Sequence, residues 1–139
     1  MNMKVLASIL LAAVLAHGAP ARAGSPGKST LVGTWAVDTS RLPMAADARP
    51  RSATITFENA GDGRWTTMVG VVDAAGGKRY ARGTSDLEGT PAPVESNFEA
   101  DVAATTMPQP NVLVMQLAQD GAPASTRIYA VAADGAWLI

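Results

Sequence analysis

The chain has 139 residues, 11 Lys and Arg against 12 Asp and Glu, one histidine and no cysteine. So little excess charge provides none of the basic face that nucleic acid demands. Without cysteine there are no disulfides, thiolate zinc sites, cysteine nucleophiles or c-type haem attachments.

Residues 1–23 read as an export leader. Lys4 gives a positive start, Val5–Ala16 is an apolar run of 12 residues, and Ala21-Arg22-Ala23 has the small-x-small pattern of a cleavage site. Twelve helical residues rise about 18 Å, short of the roughly 30 Å of hydrocarbon in a bilayer. No other stretch is apolar enough to span as a helix. Cleavage after Ala23 removes the only histidine, His17, together with Lys4 and Arg22. The remaining 116 residues carry 9 basic and 12 acidic groups, a net charge of −3. They are expected in the periplasm or outside the cell. With no His or Cys left, any catalysis must come from carboxylates, Lys, Arg, Tyr or hydroxyls. No cofactor or metal is expected.

Downstream of the leader the sequence reads as strands separated by turns. Leu31–Asp38 places Leu31, Gly33, Trp35 and Val37 on one face. Pro43–Ala48 suits a helical turn. Ser52–Glu58 is the cleanest alternation, with Ala53, Ile55 and Phe57 opposed to Thr54, Thr56 and Glu58. Gly61-Asp62-Gly63 is a hairpin signal, because glycine accepts positive φ. Arg64–Asp73 and Lys78–Thr84 form the next pair around Ala75-Gly76-Gly77. Both faces of Arg64–Asp73 are apolar, so its inward side stays open. Ser85–Glu99 contains Pro91 and Pro93, and any strand there is short or at an edge. Val102–Met107 and Asn111–Ala118 follow, joined by Pro108-Gln109-Pro110. Ser125–Val131 lies between the turns Asp120-Gly121 and Asp134-Gly135, and Ala136–Ile139 starts one more strand.

This order predicts an all-β domain over residues 24–139. It is an antiparallel up-and-down meander that closes into a barrel, with a β-sandwich as the alternative. The last residues, Trp137-Leu138-Ile139, are apolar where a terminus is usually polar, so a closing strand is expected to be missing from the barrel.

Leu31-Val32-Gly33-Thr34-Trp35 resembles the Gly-x-Trp opening strand of lipocalin-like, or calycin, barrels. The order of "GTWAVDTSRLP", "TITFENAGDG", a strand with Tyr80, "GTPAPV" and "STRIYAVAADGAWLI" is similar to small exported bacterial proteins of that kind. The resemblance covers residues 30–139. It implies a barrel with Gly33 and Trp35 as its structural signature and Trp35 plugging one mouth. It also implies a small apolar or amphipathic ligand; proteins of this kind mostly have no assigned activity, and a non-enzymatic role is the expectation. In lipocalins an arginine of the last strand lies over that tryptophan. Here the one basic residue beyond Arg82 is Arg127.

Trp65, Met68, Tyr80, Met115 and Tyr129 are the residues whose bulk and polarisability could line a ligand cavity; the alternative is that they fill a solid core. Lys78, Tyr80 and Arg82 share one strand face that could hold a carboxylate or phosphate, or serve as a solvated rim. The carboxylates Asp86, Glu88, Glu95, Glu99 and Asp101 lack the spacing of a calcium loop, and nothing in their order marks an acid–base pair. Three functions follow, in this order: a ligand-binding barrel, an envelope protein with a filled core that acts through its surface, and last a small hydrolase using carboxylates.

Overall fold

Paired positive-φ turns set the frame of the molecule. The computed structural model describes residues 29–136 and residue 138, so the leader, Trp137 and Ile139 lie outside the described residues. The strands are β1 (Gly33–Ala36), β2 (Ser52–Gly61), β3 (Arg64–Val72), β4 (Lys78–Ser85), β5 (Ala92–Ser96), β6 (Val102–Gln109), β7 (Val112–Gln119) and β8 (Ala122–Ala130). They pair in chain order, each antiparallel to the next, in one eight-stranded sheet. Asp62 and Gly63 join β2 to β3 at φ 52° and 71°; Asp120 and Gly121 join β7 to β8 at φ 52° and 78°. Two consecutive positive-φ residues match the right-handed twist of the strands they connect. The only helical pieces among the described residues are short 3-10 turns at Thr39–Arg41 and Ala46–Ala48.

The sheet curls into an open half-barrel. Phe57 of β2 meets Tyr129 of β8 edge to face, with 5.3 Å between ring centres, although five strands separate them in the sheet. Among the described residues no ladder joins β1 to β8. The all-β, up-and-down meander expected from the strand and turn pattern is what forms, and its open curl fits an incomplete barrel.

Cross-strand register settles the inward face that β3 left open. Ala53 pairs with Val71, Ile55 with Val69 and Phe57 with Thr67. Trp65, Thr67, Val69 and Val71 thus face the core, and all four are buried. Across the interior stand Ala103, Thr105 and Met107 of β6, Leu113, Met115 and Leu117 of β7, and Tyr129 of β8. Apolar burial of this kind contributes about 25 cal/mol per Å² removed from water.

β5 is the thin place. It matches β4 at three positions and β6 at two, Ala92↔Ala103 and Pro93↔Val102. The prolines do keep the strand short, at five residues. It lies inside the sheet, however, and not at an edge. At the opening, Gly33 has φ 135°, a conformation that suits glycine alone. Trp35 is half-buried against the core, and its indole N–H donates to the Leu31 carbonyl at 2.8 Å. Beyond β8, where a strand Ala136–Ile139 is expected, the described residues make an antiparallel bridge, Val131↔Leu138.

Candidate functional site

A cleft opens on the concave face between β3–β5 and β6–β8. Its walls are mainly apolar, with Val69, Ala81, Val94, Ala103, Met115 and Leu117 among them. Small side chains on β4 and β5 leave room there, and Gly83 is so close to β5 that a β-carbon on it would lie 3.3 Å from Val94 Cγ2. The void left inside is about 30 Å³, space for about one water.

Into this apolar wall the alternation of β8 turns one cation. Arg127 sits opposite Met115 in the register and is only 5% exposed. Its Nη2 donates to Glu99 Oε2 in an ion pair, with the Glu99 side chain 15% exposed. Arg127 Nε is buried and has no partner. Burial works against the guanidinium charge, but the Tyr129 oxygen and the Glu99 carboxylate outweigh it, so Arg127 titrates above its ordinary value. The Tyr129 phenol, almost wholly enclosed, is pushed up by burial. Arg127, Glu99 and the Tyr129 hydroxyl therefore meet in a mainly apolar cleft whose lining also includes Thr67, Thr84, Ser85 and Thr105.

Glu99 comes from the turn between β5 and β6, where it adopts φ 61°. The turn is pinned on both sides. Asn97 Oδ1 accepts from the Tyr80 N–H at 2.8 Å, and Asn97 Nδ2 donates to the Lys78 carbonyl at 3.2 Å. Asp101 donates its N–H to the Ala118 carbonyl at 3.0 Å and accepts from the Asp120 N–H at 3.0 Å.

The five expected lining residues divide. Met115 and Tyr129 line the cleft. Trp65 faces the same interior, 1% exposed, but stacks on Phe57 at 5.9 Å as core. Met68 and Tyr80 do not join them. Met68 pairs with Thr56 and Tyr80 with Gly70, both on the outer face, and Tyr80 is 46% exposed. The physical reason is register: Val69 and Ala81 occupy the inward positions, so their neighbours point out. Lys78, Tyr80 and Arg82 do share a face, the outer one, where Arg82 stands opposite Glu95.

The carboxylates from Asp86 to Asp101 scatter. Asp86 accepts from the Glu88 and Thr90 N–H groups, and hydrogen bonding led by the Thr90 hydroxyl holds its carboxyl below the usual range. Glu95 faces outward and Glu99 inward, so the two are not brought together. Among the described residues no three His, Asp or Glu side chains converge as metal ligands. The residues that sequence reading passed over are Arg127 and Glu99 as a pair. Alternation through Ser125–Val131 already placed Arg127 on the Tyr129 face, whereas Glu99 carried no such signal.

A second, wider depression of about 460 Å³ lies on the outer side of β6–β8, lined by Val102, Ala104, Gln116, Ala118 and Pro123. It is open and has no ionisable side chain in its lining. No helix among the described residues is long and apolar enough to cross a membrane. No protein-family model, curated protein or solved structure matches the chain.

Proposed function

We propose that the chain is exported and binds a small apolar or amphipathic molecule on its concave face, as a non-enzymatic, lipocalin-like protein of the periplasm or medium. The observation that supports this reading is the buried Arg127–Glu99 pair beside a void in an apolar wall. A wall built only for stability does as well with apolar residues of similar volume, because desolvating two charges offsets most of their attraction. A charged pair in a mainly apolar cleft is the arrangement that orients an amphipathic ligand. The void accepts little by itself, so binding widens the cleft, and the weakly paired β5 is the element that gives way.

The small size of that void favours a second reading, an envelope protein with a filled core that acts through its surface. One experiment separates the two. Protein purified natively from the exported fraction is extracted and the extract analysed by mass spectrometry, and the stripped protein is titrated with octanol and octanoate by calorimetry. A bound small molecule, with binding lost in Ala81→Leu and kept in Ala104→Trp on the outer depression, is the expected result. An empty extract and no heat with either probe leaves the filled-core reading.

A further inference from the structure

We infer that Glu99 is an exchangeable internal counter-ion: it holds on Arg127 the place of the carboxylate of a small organic acid, which displaces it when it binds. This rests on the reading of the concave cleft as the binding site.

The first ground is the guanidinium. Arg127 offers a fixed fork of donors suited to a two-point contact with a carboxylate. Glu99 engages Nη2, while Nε stays buried and unpartnered on a side chain that lines the cleft. A buried N–H without a partner is costly, and a second carboxylate oxygen is the group that satisfies it.

The second ground is the backbone that carries Glu99. At φ 61° it is in the left-handed region, which disfavours a residue with a β-carbon. The ion pair with Arg127 is the contact that the inward-turned Glu99 side chain makes. Asn97 is tied to β4 and Asp101 to β7, and Ala100 between them is buried in the core, so the turn stays in place while the Glu99 side chain rotates outward about its own bonds. The Glu99 side chain already reaches partly into water.

The third ground is charge. Arg127 is too enclosed to be left alone, since an unpaired buried charge is strongly unfavourable. Exchange of one carboxylate for another keeps it paired throughout. The departing Glu99 gains full hydration, and the acid's apolar body takes up the space along Ala92 and Val94. An alcohol of the same chain length cannot make the exchange.

The test uses the chain from which the leader has been cleaved, with butyrate, hexanoate and octanoate as probes and octanol as the uncharged control. Calorimetry and thermal shift are run on the unaltered protein, Glu99→Gln, Glu99→Ala and Arg127→Met. Octanoate is expected to bind at least tenfold more tightly to Glu99→Gln than to the unaltered protein, because the internal competitor is weakened. Octanoate should also restore the melting temperature that Glu99→Ala loses, and Arg127→Met should lose octanoate binding while keeping that of octanol. Glu99→Gln carries the comparison if Glu99→Ala does not fold. Equal octanoate binding by all the folded variants overturns the exchange but keeps the cleft as a binding site. Absence of binding by both octanoate and octanol overturns the cleft reading and the exchange with it.

Discussion

Phe57 and Tyr129 touch edge to face with 5.3 Å between ring centres, and this contact joins the second strand of the sheet to the eighth. No hydrogen-bonded ladder connects β1 and β8 among the described residues, so the curl is held by side chains across the interior. Phe57 is fully buried and also packs on Trp65 at 5.9 Å. Phe57→Ala is expected to lower stability by about 3–5 kcal/mol, with Phe57→Leu costing less, as read from urea unfolding. A loss below about 1 kcal/mol for the alanine variant would show that the ladders alone hold the curl.

The two members of the buried ion pair are expected to differ. Removal of Arg127 leaves the Glu99 side chain free to turn outward, since it already reaches partly into water. Arg127→Met should therefore stay within about 1 kcal/mol of the unaltered protein. Glu99→Ala leaves the guanidinium enclosed and uncompensated, which costs about 3–5 kcal/mol. Chemical denaturation of the two variants at pH 7 measures the asymmetry, and equal losses would contradict it.

Asp73 makes one loop sensitive to acid. Its carboxylate accepts from the Gly77 N–H at 2.7 Å and the Ala75 N–H at 3.0 Å, and those bonds, the Gly77 one foremost, hold it below its ordinary value. A carboxyl that is lowered in the folded state stabilises the fold fully above its unfolded value of about 4. That contribution fades as the pH falls through the lower, folded value. Asp73→Ala should be less stable than the parent at pH 7 and should converge with it near pH 2. Melting temperatures measured across that range check the sign; a gap that widens in acid would contradict it.

β5 should open before the rest of the sheet. With two register pairs to β6 and a proline inside it, its amides are expected to exchange with deuterium well ahead of those in β2 and β3. Exchange followed by mass spectrometry gives the order. If octanoate binds as inferred above, it should slow exchange at Phe98–Ala100 less than at Val94.

Much of this fold is legible residue by residue. Thr54, Thr56 and Glu58 alternate with Ala53, Ile55 and Phe57, so that strand can face only one way. Asp62-Gly63 and Asp120-Gly121 mark their hairpins because positive φ is written into the residue types. The second of these also limits where the neighbouring strands can begin. Met68 and Tyr80 show where such reading stops. Arg64–Val72 is apolar on both sides, so parity within the strand has no phase, and the bulk of Tyr80 invites an inward placement that Ala81 takes instead.

From its order of residues alone this protein is an antiparallel meander of short strands, because alternation and turn chemistry act over a few neighbouring positions. Which wall a strand apolar on both sides presents, as β3 does, was decided in three dimensions, by register between strands. The same holds for the meeting of Glu99 with Arg127, 28 positions apart. A carboxylate in a turn finds a buried cation only once the sheet has curled, and the long-range packing that curls it leaves no mark in either local segment.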